Sequence, residues 1–249
     1  MADYRDFLYP LNVFMHVMTA EEGGVSYLHY GLFDSPDEAI GAAQERSTQL
    51  LLSRLPPPPC AILEVGVGLA TTLARLTEMG YDIEGITPDE KQVAFARARH
   101  GDAVRIHHAS LEAFELSRSY DLLLFQESSQ YIDAEALFVK AVRLAPRVLV
   151  LDEFALQSVD RPGALPSRER FLEAAGRQGF RLTEELDLSS RAAPTIDYFM
   201  ARIPHHRERL VRDLGLTSSQ LDDLVESGLA YRDFYTRGIY GYRLLQFAR

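Results

Sequence analysis

The segment Glu64-Val65-Gly66-Val67-Gly68-Leu69-Ala70 is the first whose residue types and spacing could do chemistry. Two glycines separated by one residue, directly after an apolar run, let the backbone come close to a bound ligand because no Cβ intervenes. Two phosphate-binding readings fail on what is missing. A dinucleotide fingerprint G-x-G-x-x-G needs glycine at position 71, which is Thr71, and a P-loop needs a Gly-Lys-Ser/Thr that is absent here. The second group is acidic. Gln126, Glu127, Gln130 and Tyr131 end one apolar run, Asp152 and Glu153 end another, and His29 lies near the N-terminus. Carboxylates gathered in a pocket can act as a base, orient a cationic amine, or pair with arginines such as Arg191 or Arg202; the residue types leave these alternatives open. His107-His108 alternate faces on a strand, and His205-His206 lack H-E-x-x-H spacing and suit a solvated helix face, so no metal is expected. Tyr231, Tyr235, Tyr240 and Tyr242 read as core packing before they read as a cation cage.

These residues need strand ends to hold them. Short β-rich apolar runs at 60–65, 81–87, 104–109, 120–126, 147–154 and 180–188 alternate with helical patterns near 70–79, 89–99, 134–145 and 167–178, the spacing of βα crossovers in a parallel sheet. Gly80, Gly101 and Gly179 fall where helix C-caps belong. Ala39 to Leu55 predicts a helix, preceded by an irregular stretch that ends in SYLHYGLFD. Pro56 to Pro59 form a stiff spacer that no helix or central strand could contain, so 1–55 is expected to be an N-terminal helical cap and 56–249 the core. From about 194 to 237 the pattern is helical again, before a last strand-like run, IYGYRLLQFA. A helical insert between the two final strands is a natural lid over the carboxyl edge of the sheet, where open α/β sheets bind ligands.

The run from Glu64 to Ala70 resembles the E/D-x-G-x-G-x-G motif of class I S-adenosylmethionine-dependent methyltransferases, with Ala70 in the third glycine's place. The segment GITPDEKQ puts Thr87 where a ribose-binding carboxylate usually stands, and it resembles the G-I-T-x-S-x-x-Q stretch of the cyclopropane-fatty-acid-synthase-like branch. In that branch the threonine and glutamine contact the cofactor, which implies Thr87 and Gln92 here; a capping role of Thr87 on the following helix is compatible with this. Ser110 to Phe114 resembles the branch's adenine segment, implying that Leu111 packs on the base and Glu112 accepts from its amino group. Tyr27-Leu28-His29-Tyr30-Gly31 resembles a cofactor-covering segment, unless it is only an aromatic staple. The resemblance implies a doubly wound, mostly parallel, seven-stranded Rossmann-like sheet and S-adenosyl-L-methionine as cofactor, with S-adenosyl-L-homocysteine as product. The implied cofactor-binding residues are Tyr27, Glu64, Gly66, Gly68, Thr87, Gln92, Leu111, Glu112 and Gln126. Glu127, Tyr131, Glu153 and His29 are the candidate catalytic residues. Cyclopropane synthases carry Glu-His where this chain has Gln130-Tyr131, so lipid cyclopropanation is not expected.

Composition narrows the acceptor. A net charge of −10 and a pI near 5.2 provide no general footprint for nucleic acid or an anionic membrane. The single cysteine, Cys60, cannot close an intramolecular disulfide, and no apolar run reaches transmembrane length; a cytoplasmic location is expected. The expected activity is N- or O-methylation of a small molecule, in the manner of specialised metabolism, with a homodimer left open as a partner arrangement. The competing readings are a non-methylating enzyme and a non-catalytic S-adenosylmethionine-binding protein on the same fold.

Overall fold

The computed structural model describes residues 3–115, 118–159, 161 and 163–249. Seven strands form one sheet: β1 (Ala61–Val65), β2 (Asp82–Thr87), β3 (Ile106–His108), β4 (Leu122–Gln126), β5 (Arg147–Ala155), β6 (Arg181–Asp187) and β7 (Tyr240–Ala248), in the order β3-β2-β1-β4-β5-β7-β6. β1 to β5 pair in parallel, whereas β7 enters antiparallel between β5 and β6. Strand order therefore reverses between β1 and β4, and such a switch point opens a crevice at the carboxyl edge.

The alternation of side chains explains the layers. Ile62, Leu122, Leu124, Leu149 and Leu151 face one core, and Leu63, Leu123, Phe125, Val148 and Val150 face the other. All five residues of β4 are buried, so this strand is apolar on both faces, as a central parallel strand must be. Helices α3 (Thr71–Glu78) and α4 (Glu90–His100) cover the first face. Helices α5 (Ala134–Leu144) and α6 (Arg168–Arg177) cover the second. The glycines expected at helix ends adopt positive φ: Gly80 at 87°, Gly101 at 60° and Gly179 at 79°.

Two expectations need correction. The stretch before residue 39 is not irregular throughout: Leu11–Glu22 forms a helix, α1, ahead of α2 (Ile40–Leu52). Its N-cap is Pro10 with no side-chain cap, so the usual Ser/Thr/Asp/Asn start signal is missing. Thr87 does not cap α4; Asp89 does, accepting from the N–H groups of Lys91 and Gln92. The helical insert lies between β6 and β7 as expected, built from α7 (Ser189–Ala192), α8 (Pro194–Arg202), α9 (Arg207–Leu214) and α10 (Ser218–Thr236). Thr217 and Gln220 close a capping box that starts α10. Helices α8 and α10 pack on each other, and α8 and α9 pack on α1, so the insert and the N-terminal helix form one roof over the sheet edge. Among the described residues no helix is long and apolar enough to cross a membrane.

Candidate functional site

Two cavities open along the carboxyl edge. The first, about 480 Å³, is lined by Gly66 and Gly68 after β1, Thr87, Asp89 and Gln92 after β2, Leu111 and Glu112 after β3, and Gln126, Glu127 and Tyr131 after β4. The glycine turn winds through positive φ at Gly66 (80°), Gly68 (52°) and Ala70 (58°). A Cβ on Gly66 would stand 2.3 Å from the Cβ of Ser128, whereas one on Gly68 would meet only Leu28, at 3.5 Å. Gly66 is therefore required by the loop after β4 as well as by its own dihedral angle. Thr87 donates its hydroxyl proton to Gln92 Oε1 at 2.9 Å, which joins the two side chains at the cavity wall. Leu111 is buried and Glu112 is exposed at the rim.

Beneath the glycine turn a small cavity of about 40 Å³ touches Tyr27, His29, Glu64, Gly66, Gly68, Thr72 and Gln126. Glu64 is 2% exposed, its Oε2 has no hydrogen-bond partner, and burial pushes its carboxyl up to about 8. Gln126 accepts from the Thr72 hydroxyl at 3.0 Å. Tyr27 donates its hydroxyl to Glu45 at 2.9 Å and lines only this small cavity. His29 is neutral. Its Nδ1–H faces the Tyr30 carbonyl at 2.9 Å, Nε2 accepts from the Thr48 hydroxyl at 3.0 Å, and burial lowers its pKa to about 4. Both ring nitrogens are thus occupied inside the cap.

The second cavity, about 510 Å³, shares Leu11, Leu28, Glu127 and Tyr131 with the first. Phe14 and Met18 of α1, Ile196, Phe199 and Met200 of α8, and Leu224 of α10 give it apolar walls; Tyr30, Glu153, Tyr231 and Arg161 supply polar groups. Tyr131 is 82% exposed and stands at the opening where the two cavities meet. Glu127 is one of two non-glycine residues at positive φ among those described (56°), a conformation that costs roughly 1–2 kcal/mol. The turn aims its Oε1 at the Tyr30 N–H and the Tyr242 hydroxyl, both 2.6 Å away. Glu153 is paired with Tyr242 across β5 and β7, and its Oε1 accepts from the hydroxyls of Tyr231 at 3.0 Å and Tyr235 at 2.5 Å. Asp152 accepts from the Ser129 hydroxyl at 2.6 Å and the Gln130 N–H at 3.1 Å.

Burial raises all three carboxyl groups: Asp152 to about 6, Glu153 to about 7, and Glu127 well above the usual range, where the Glu153 charge adds to the effect. The arginines considered as their partners go elsewhere, Arg191 to Asp34 and Arg202 to Glu21. Of the tyrosines read as core packing, Tyr235, Tyr240 and Tyr242 are buried in the core and Tyr231 packs against it, while the hydroxyls of Tyr231, Tyr235 and Tyr242 also reach the acids. Tyr30 and Tyr242 stack with their rings 5.8 Å apart. The histidine pairs are engaged separately: His107 with Glu84, His108 with the Pro88 carbonyl and His206 with Glu21. Sequence reasoning missed the contribution of α1, although Leu11, Phe14 and Met18 repeat at i, i+3 and i+7, the spacing of one helix face.

Comparison with known proteins adds an independent line. A family model described as a methyltransferase domain matches residues 63–150, from within β1 to the first part of β5. The chain is 27% identical over 195 residues to an O-methyltransferase of Pyrenophora dematioidea, covering 68% of this chain and 73% of the relative. A mycolic acid cyclopropane synthase, complexed with S-adenosylhomocysteine and CTAB, superposes with a TM-score of 0.77 at 18% identity, covering 99% of this chain and 93% of the other. The [4+2]-cyclase SpnF superposes with a TM-score of 0.76 at 20% identity, over 94% of this chain and 91% of that one. Residues 63–150 thus match a methyltransferase domain, and the chain shares the Rossmann-like fold of the cyclopropane synthase and the cyclase.

Proposed function

We propose that the chain transfers a methyl group from S-adenosylmethionine, held in the first cavity, to a heteroatom of a small, largely apolar acceptor held in the second. The observation that carries this reading is the junction: two cavities of similar size meet at Leu11, Leu28, Glu127 and Tyr131. A donor on one side and an acceptor on the other would face each other there with water displaced by the apolar roof of α1, α8 and α10.

The residues fit the cofactor. Glu64 is a buried carboxyl without a full set of partners, beside a glycine turn, and it suits a cationic amino group. Gly66 and Gly68 would admit close backbone contact, Thr87 and Gln92 would hold the ribose hydroxyls, and Leu111 and Glu112 would bracket the adenine. Gln126 and Tyr27 would border the amino-acid end. When bound, S-adenosylmethionine supplies a methyl group on a positively charged sulfur, an electrophile that needs only in-line approach of a nucleophile. The protein's task is positioning, exclusion of water and removal of a proton from an acceptor that carries one. Glu127 is the proposed proton acceptor, with Glu153 and Tyr131 placing the acceptor; His29 would shape the cap through its two internal hydrogen bonds.

Calorimetry with S-adenosylhomocysteine and NADH, followed by a labelled-methyl transfer screen over phenols, alcohols and amines, tests the proposal. Binding of the sulfur nucleoside alone and label in a small acceptor are expected. NADH binding without a response to S-adenosylhomocysteine would overturn it, and cofactor binding with acceptor turnover but no label transferred would favour a non-methylating reaction on the same fold.

A further inference from the structure

The second cavity is lined by two carboxyl groups, Glu127 and Glu153, with Asp152 fully buried beside them, and the hydrogen bonds of all three come from neutral donors. Glu127 is served by the Tyr242 hydroxyl and the Tyr30 N–H, Glu153 by two tyrosine hydroxyls, and Asp152 by a serine hydroxyl and backbone N–H groups. Among the described residues no lysine, arginine or histidine pairs with any of them; Arg161, the cation that also lines the cavity, stacks over the Phe234 ring instead. Glu153 is 5% exposed, yet it lines the cavity, and among the described residues neither its Oε2 nor that of Glu127 receives a hydrogen bond. A buried carboxylate without a counter-charge is costly, and a cation entering the cavity would remove that cost. The walls suit such a guest: Tyr30 and Tyr231 stand beside the acids, and Phe14 and Phe199 offer aromatic surface farther along.

We propose that the acceptor is an apolar amine taken up as its ammonium ion, with Glu153 pairing with the charge and Glu127 receiving the proton that must leave before nitrogen can be methylated. This inference rests on the methyltransferase reading above. Burial keeps Glu127 protonated before the amine enters, and the incoming ammonium charge favours loss of that proton to solvent; the proton step is then R–NH3+ plus Glu127–COO− giving R–NH2 plus Glu127–COOH. The freed lone pair then forms the N–C bond as the C–S bond breaks and its electron pair stays on sulfur. A hydroxyl acceptor brings no charge and would leave the acids uncompensated. Glu127 is a strong proton acceptor once ionised because burial and the neighbouring Glu153 raise its affinity for a proton; Asp152, Tyr30, Tyr131, Tyr231 and Tyr242 also face it.

Calorimetry with 2-phenylethylamine and 2-phenylethanol, two probes of one skeleton, tests the idea on the protein preloaded with S-adenosylhomocysteine. The amine should bind at least ~10-fold more tightly than the alcohol. Glu153→Gln should remove that preference while S-adenosylhomocysteine still binds, which also shows that the variant is folded. Tyr231→Phe, a milder change, should weaken amine binding to an intermediate degree. With tyramine, which offers both groups, mass spectrometry should find the methyl on nitrogen. Equal affinity for the two probes, amine binding unchanged in both variants, or methylation of the tyramine phenol would overturn the inference and leave methyl transfer to oxygen standing. Failure of the unmodified protein to bind S-adenosylhomocysteine would instead remove the methyltransferase reading itself.

Discussion

Replacing Glu64 by glutamine should make the protein more stable and unable to hold its cofactor. The carboxyl is 2% exposed, one oxygen has no partner, and burial raises its pKa from 4.5 to about 8. In the unfolded chain the same group ionises near 4.5. Below that pH both states are protonated and nothing is lost. Between the two values the unfolded state releases a proton that the folded state keeps, so folding loses ~1.4 kcal/mol per pH unit, and above about 8 the loss is constant. The full penalty is therefore ~4–5 kcal/mol, an upper figure because local relaxation reduces it. Glutamine has nearly the same shape and no such titration. The stability advantage of Glu64→Gln, measured by urea unfolding without ligand, should be small near pH ~5 and grow steadily toward pH ~8. S-adenosylhomocysteine should bind the unmodified protein more tightly as pH rises through the same window, since its cationic amino group favours the ionised carboxyl, and should not bind the variant. A stability gap that is the same at both ends of the window would refute the reasoning, and so would a variant that keeps full affinity for the ligand.

Gly66→Ala should cost at least ~2 kcal/mol of stability, because left-handed strain adds to a Cβ only 2.3 Å from that of Ser128, while Gly68→Ala should cost nearer ~1 kcal/mol; equal losses in thermal melts would mean that the loop after β4 moves aside freely. Thr87→Ala and Gln92→Ala should each weaken S-adenosylhomocysteine binding by ~1 kcal/mol, whereas Asp89→Ala should remove about the same amount of stability through loss of the α4 cap and leave affinity alone. Calorimetry showing the opposite pattern would put the ribose on Asp89. Glu127→Gln should lower turnover far more than it lowers cofactor affinity, and a variant with normal turnover would take Glu127 out of the proton path. Hydrogen exchange across 194–237 should slow when S-adenosylhomocysteine and acceptor are both bound; identical rates in free and bound protein would show that the insert does not close over the acceptor.

Local signals were enough for the sheet and the first cavity. Each βα unit is written in a contiguous run of some 20–30 residues, with an apolar strand, a turn and an amphipathic helix, and the glycines after β1 with Thr87 and Gln92 after β2 sit at its carboxyl end by construction. Glu64 could likewise be placed beside the glycine turn from its neighbours in sequence, although its missing partner could not. The second cavity is different in kind. Its acids sit on two strand ends, but the hydroxyls that hold them come from Tyr231, Tyr235 and Tyr242, and Tyr30 reaches Glu127 across 97 residues. Those contacts exist because β7 inserts antiparallel between β5 and β6, setting Tyr242 opposite Glu153, and because α1 and the insert meet above the sheet edge. Strand order and the docking of distant helices depend on the whole core closing at once, and no local periodicity records them. Contiguous runs of residues therefore suffice to predict a parallel sheet with a glycine turn at the end of its first strand. That the buried acids meet tyrosines and not arginines appears first in the folded chain, because their partners are chosen by long-range packing.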